Sequence, residues 1–293
     1  MCSLISERSN RPLWPRRAWL WRPAGTVAVA ALLLPLAFAV GADADGKSKP
    51  VASPSDDHPL TDIWSGYHYA DKSIQDMQDD DIKNPGMAWY VHGEKLWKRE
   101  EGEAKKACAT CHNVAQNSMK GVAARYPIYY GPRKKLINLE NRINECRAKF
   151  LKAPPLDYES DEMLGLSIFV RAQSRGLPVK VRRDGLAKPF FEKGRAFYYG
   201  RRGQFNMACS HCHEKHAGKR YRSMTLSQGQ ANGFPAYRLT GSKPWTLHKR
   251  VQACSRLIRS EPFPSGSDDY VNLELYLAWR GQGLMVETPA VRR

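Results

Sequence analysis

At 293 residues, the chain has room for a leader and two small domains, on a scale of roughly 100–200 residues per domain. A hydrophobic content of 42% and an aromatic content of 10% suffice for compact cores. The formal charge of +17 favours anionic partners, whether nucleic acid, an acidic protein or a small oxyanion, although an ordinary basic surface accounts for it equally well. No aromatic-interleaved RNA motif, zinc finger or helix-turn-helix pattern accompanies that charge, so no nucleic-acid role is expected.

Residues 1–44 read as a secretory leader. Arg8, Arg11, Arg16, Arg17 and Arg22 form a positive start, an apolar run follows from Thr26 to Val40, and small residues around Ala42 and Ala44 suit cleavage. The run is shorter than the ~20 residues that cross a bilayer, so the mature chain is expected to carry no membrane span; an uncleaved anchor is the competing reading. Residues 45–85 hold Pro50, Pro54, Pro59 and the run Asp79-Asp80-Asp81. They read as an extension that wraps the surface, with the acidic run a solvated turn rather than a metal site.

Two runs then share one pattern: Cys108-Ala-Thr-Cys111-His112 and Cys209-Ser-His-Cys212-His213. Each is C-x-x-C-H, the attachment pattern of haem c. Two thiols three residues apart on a tight helical turn can each add to one vinyl group of the same porphyrin edge. The next residue then offers its imidazole to the iron. A redox dithiol or half a zinc site explains one C-x-x-C, but poorly explains two copies each followed by His. Because haem c is attached after export of an unfolded chain, Arg16-Arg17 is not read as a twin-arginine signal. The expected location is the periplasm of a Gram-negative bacterium.

The copies extend beyond the motifs. Gly93-Glu-Lys-Leu-Trp97 and Gly194-Arg-Ala-Phe-Tyr198 each begin 15 residues before the first haem cysteine. Arg142-Ile-Asn-Glu-Cys146 answers Arg250-Val-Gln-Ala-Cys254. Runs from Ser160 to Val170 and from Ser267 to Leu277 each start with a capping Ser-Asp and continue at helical period, and Gly176 and Gly283 follow them. The expectation is an all-α fold, a tandem duplication of a cytochrome c domain with an N-terminal extension. The first domain would span residues 86–177 and the second 190–293, joined by a linker at 178–189.

The distal ligand separates the functional readings. A carrier with His/Met iron needs a suitably placed methionine, but Met119 and Met224 follow their motifs too closely, and Met163 and Met285 do not correspond. Cys146 and Cys254 do correspond, 34 and 41 residues after His112 and His213. These cysteines are apolar filler, a disulfide with each other, or thiolate ligands of the two irons; their repetition favours ligation. Arg142 and Arg250 lie one helical turn before them, where a guanidinium can stabilise a thiolate and hold an oxyanion, or pair with a propionate or carboxylate instead. His216 and His248 have no counterpart in the other repeat and read as surface or supporting residues.

At these residues the chain resembles the SoxA family, the catalytic subunits of the SoxAX cytochromes of periplasmic sulfur oxidation. The resemblance covers essentially the whole mature chain. It is densest at Arg250-Val-Gln-Ala-Cys254, Glu261-Pro-Phe-Pro264, Asn272-Leu-Glu-Leu-Tyr-Leu-Ala-Trp-Arg-Gly281 and Glu287-Thr-Pro-Ala-Val-Arg292. It implies an L-cysteine S-thiosulfotransferase with Cys254, as a persulfide and distal ligand of the second haem, in the catalytic position. Arg250 takes the substrate position. It also implies a small haem partner SoxX in a heterodimer, thiosulfate as substrate, a cysteine of the carrier SoxYZ as acceptor, and a soluble cytochrome c as the electron sink. Some family members lack the first haem; Cys108, Cys111 and His112 show its motif retained here. The rival readings are a dihaem electron carrier without chemistry of its own and a dihaem peroxidase.

Overall fold

The computed structural model describes residues 49–293; the leader expected over residues 1–44 lies outside them. The described chain is mostly helical. Helix α1 is Lys72–Asp79, α2 Met87–Lys98, α3 Cys108–His112, α4 Ala115–Ser118, and α5 Leu139–Cys146, which runs on into a π-helical turn at Arg147–Leu151. Helix α6 is Asp161–Ala172, α7 Lys188–Tyr199, α8 Cys209–His213, α9 Leu247–Leu257 and α10 Asp268–Arg280. The all-helical expectation needs amending. Strands of two or three residues form hairpins, Ile128–Tyr130 with Lys135–Ile137 and Ala236–Arg238 with Lys243–Trp245. The second hairpin also takes Ala290–Arg292 as a parallel third strand. These strands are too short for an alternating pattern to announce them.

The long helices start where side chains satisfy the free N–H groups of their first turns. Ser160 accepts from the Met163 amide at 3.1 Å and Ser267 from the Tyr270 amide at 3.4 Å. Both helices are sheathed in protein, with Met163 to Val170 and Tyr270 to Arg280 buried. Each is crossed by the helix that precedes a haem motif, and a glycine makes each crossing possible. A Cβ on Gly93 of α2 would lie 2.0 Å from the Gly165 carbonyl oxygen of α6; one on Gly194 of α7 would lie 2.0 Å from the Asn272 carbonyl oxygen of α10. Only a residue without a side chain permits that approach.

The two halves share one buried seam. Arg171 reaches Glu140 at 3.5 Å and Glu274 at 3.4 Å, and Asn138 donates to Glu274 at 3.0 Å. His248 Nε2 sits 3.2 Å from Glu274, while its Nδ1 accepts the Gly266 amide at 2.9 Å. The expected linker at 178–189 is part of this packing. Val179 and Val181 are buried, the Val179 amide donates to Leu284 at 2.9 Å, and α7 already begins at Lys188. Residues read as the extension bond to the C-terminal half. Gln78 accepts the Val291 amide at 3.0 Å, His58 pairs with the Arg280 carbonyl at 3.2 Å, and Ser65 bonds to Glu287. Asp80 accepts the Ile82 amide and Asp81 pairs with Arg175 at 2.6 Å, so the acidic run is a turn and an ion pair. Among the described residues no helix is long and apolar enough to cross a membrane.

Candidate functional site

Each C-x-x-C-H run is a single helical turn, α3 or α8, so its two thiols and its imidazole leave neighbouring points of one surface. A preceding loop fixes that turn against the helix carrying the later cysteine. Around α8, Arg202 and Met207 exchange backbone bonds of 3.0 and 3.1 Å, Gly203 takes φ 68°, and the Gln204 amide donates to Arg259 at 3.2 Å just past α9. Around α3, Glu101 and Lys106 exchange bonds of 3.0 and 3.4 Å, Gly102 takes φ 67°, and the Glu103 amide donates to Lys152 at 3.3 Å. The backbone thus holds each haem motif against the chain just beyond Cys146 or Cys254.

In the second centre, His213 pairs its Nδ1 with the Ser227 carbonyl at 2.8 Å. A carbonyl can only accept, so Nδ1 carries the proton and Nε2 keeps its lone pair for a metal. Gly229, at φ 78°, presses on the same ring, and a Cβ there would come 2.8 Å from Cγ. Burial pushes the His213 pKa down to about 4, which keeps the imidazole neutral as a ligand must be. Burial likewise pushes the Cys209 thiol up to about 12, with Cys254 the next contributor, and Cys254 also raises Cys212. Cys254 is therefore within electrostatic reach of both Cys209 and Cys212. Arg250, one turn earlier on α9, is near enough to His213 to oppose its protonation. The sequence-predicted residues Cys209, Cys212, His213, Arg250 and Cys254 meet in one place, and they fit a haem c, to which His213 would offer Nε2 as a ligand.

The first centre repeats the plan with fewer contacts to describe. Trp97 of α2 lies 5.7 Å from the His112 ring and donates its Nε1 proton to the Asn113 carbonyl at 3.0 Å. Burial pushes Cys108 up to about 11. Cys146 closes α5, close to the Tyr126 hydroxyl. All six described cysteines are free thiols, so no disulfide joins Cys146 to Cys254. Met163 is fully buried in α6 and Met119 is buried beside Trp97 in the core. His248 belongs to the seam between the halves, and exposed His216 bonds to the His211 carbonyl at 2.6 Å.

Several supporting residues carry no sequence signal strong enough to have been singled out. Ser227 and Gly229 lie in an irregular stretch. Arg280, quoted only as part of a motif, is completely buried, pairs with Glu214 at 2.6 Å and donates to the Gln228 carbonyl at 3.3 Å. Arg238, in the hairpin before α9, is 7% exposed and faces both Arg250 and Cys254.

Comparison with known proteins agrees with this geometry. The family model described as SoxA/TsdA, cytochrome c domain, matches residues 92–179. The chain is 41% identical to the L-cysteine S-thiosulfotransferase subunit SoxA of Pseudaminobacter salicylatoxidans, over 83% of this chain and 85% of that one. It is 40% identical to the subunit of the same name from Paracoccus pantotrophus, over 92% and 97%. Its fold superposes on a chain of the crystal structure of SoxXA from P. pantotrophus with a TM-score of 0.77, at 40% identity, over 80% of this chain and 88% of that one. With a cytochrome c domain, and so haem c, established for it, the chain belongs to the SoxA family of L-cysteine S-thiosulfotransferase subunits.

Proposed function

We propose that the chain is a periplasmic dihaem cytochrome, matured by loss of residues 1–44, that joins thiosulfate to a cysteine of the carrier SoxYZ. In this reading residues 86–177 and 190–293 are duplicated cytochrome c domains, 45–85 an extension and 178–189 their connection. Cys108, Cys111 and His112 hold one haem with Cys146 as its distal ligand. Cys209, Cys212 and His213 hold the other with Cys254. The observation that carries the reading is the convergence of Cys254, Arg250 and the second haem motif.

The reaction forms a bond between the outer sulfur of thiosulfate and the carrier's cysteine sulfur. The carrier thiol loses one proton, and two electrons leave the joined sulfurs. Haem held by Cys209, Cys212 and His213 would supply an electron acceptor, with SoxX, the partner of a heterodimer, and a soluble cytochrome c as the onward route. Cys254 supplies the reacting sulfur, as a persulfide. The persulfide's outer sulfur bonds to the outer sulfur of thiosulfate as the two electrons leave, and the carrier thiolate then takes the S–SO3 group, breaking that bond and returning the persulfide. Arg250 holds the sulfonate end through paired N–H donors, which orients the outer sulfur toward Cys254.

Electron paramagnetic resonance of the purified holoprotein tests the ligand set on which this chemistry depends. Low-spin His/thiolate signals from both irons are expected. His/Met or high-spin signals contradict the reading and favour an electron carrier or a peroxidase.

A further inference from the structure

The two centres differ in what surrounds their arginines. The hairpin strands pair in the same register, Tyr130 opposite Lys135 and Arg238 opposite Lys243. Each hairpin turns through one left-handed residue, Lys134 at φ 47° and Ser242 at φ 48°. Tyr130 and Arg238 therefore occupy equivalent positions. So do Tyr126 and Phe234, which begin the two hairpins, and Glu145 and Ala253, which precede the two cysteines.

In the first centre Arg142 is fully engaged. Its guanidinium lies 4.3 Å over the Tyr130 ring, donates to Glu145 at 2.8 Å, and donates through Nε to the Tyr126 hydroxyl at 3.4 Å. In the second centre all three partners are missing, because Arg238, Phe234 and Ala253 stand in their places. Among the described residues, the Arg250 side chain makes no hydrogen bond or ion pair. Arg238 has no carboxylate partner either, only the Trp245 ring 5.6 Å from its guanidinium. It is 7% exposed, and its Nε is buried with no hydrogen-bond partner.

The Arg250 guanidinium lies within electrostatic reach of Arg238. A third cation, Arg292, also faces Arg238, but it is already paired with Glu287 at 2.6 Å. Two adjacent guanidiniums without a carboxylate, one of them buried, are costly to hold together. An anion placed between them removes that cost.

We propose that Arg238 is a second substrate-binding residue, forming with Arg250 a two-guanidinium cradle for the sulfonate of thiosulfate beside Cys254. The proposal rests on the reading of Arg250 and Cys254 given above and deepens it. Two cations match a dianion that a single arginine leaves half-compensated. The same comparison sets the first centre apart: there Glu145 and Tyr130 already engage Arg142.

The test is steady-state cytochrome c reduction by the holo complex, dependent on thiosulfate and SoxYZ, with Arg238→Gln and Arg238→Lys. Arg238→Gln is expected to raise KM for thiosulfate about tenfold or more, the scale of one charge-assisted contact, while kcat changes far less. Arg238→Lys keeps the charge but loses the paired donors, and is expected to raise KM a few-fold; it carries the test if the Gln variant fails to take up haem. Ala253→Glu, which gives Arg250 the carboxylate that Arg142 has, is expected to raise KM with Arg238 intact. A wild-type KM in both Arg238 variants overturns the proposal. So does a change confined to haem content or to the second haem's potential, which would make Arg238 a folding or propionate contact. Arg250→Lys and Cys254→Ala run alongside separate the two levels. If they too leave turnover and KM untouched, it is the site reading that fails; if they impair it while Arg238 variants do not, only the cradle is wrong.

Discussion

Gly229 lies against the imidazole of His213, so close that a Cβ there would come 2.8 Å from its Cγ. The same ring is held from another direction by the Ser227 carbonyl at 2.8 Å. Together they set the rotation of the imidazole and its tautomer, and so the direction of the lone pair on Nε2. Gly229→Ala adds both a clash and a side chain at φ 78°. It is expected to cost about 1–3 kcal/mol of stability and to shift one of the two low-spin haem signals. The signal of the first haem should stay where it is. Two unaltered signals would show that the ring orientation does not depend on Gly229.

A second expectation concerns the crossing of α7 and α10. Gly194→Ala places a methyl group 2.0 Å from the Asn272 carbonyl oxygen, and backbone cannot step aside as a side chain can. The helices must separate, at a cost of about 3 kcal/mol or more, read as a large fall in Tm. Gly131→Ala is the control, because nothing lies within 4 Å of the added Cβ. It should change stability by no more than about 0.5 kcal/mol.

The parts of this protein that could be read from its sequence are those written locally and written twice. The C-x-x-C-H turns and the capping Ser160 and Ser267 each depend on neighbours a few residues away, and each has a counterpart about a hundred residues on. What escaped depends on distant contacts. Nothing near Gln78 announces that it will bond Val291 and Arg292, so the extension's seat on the C-terminal half was not legible. The packing of the linker was not legible because Pro178 and its charged neighbours mask Val179 and Val181, which pack inward. Ser227, Gly229 and Arg238 gain meaning only once His213 or Arg250 is beside them.

The haem inventory gives a third check. Denatured, processed protein should retain two covalent haems, seen as a mass about 1.2 kDa above the polypeptide. Cys146→Met should then convert the first haem's spectrum and raise its potential, because a thioether donates less electron density than a thiolate. Conjugation should continue largely unimpaired. An unchanged spectrum would make Cys146 a packing residue at the end of α5.

The central claim is that the sulfur of Cys254 does chemistry and does not merely ligate iron. Arg250→Lys should weaken the use of thiosulfate, raising KM by about tenfold, since an ammonium cannot offer the paired donors of a guanidinium. Cys254→Ala goes to the centre of the matter. The measurement is cytochrome c reduction dependent on thiosulfate and SoxYZ, with SoxX supplied and both haems still attached to the variant. The account predicts that Cys254→Ala abolishes reduction; wild-type turnover in that variant would contradict it and leave the chain an electron carrier.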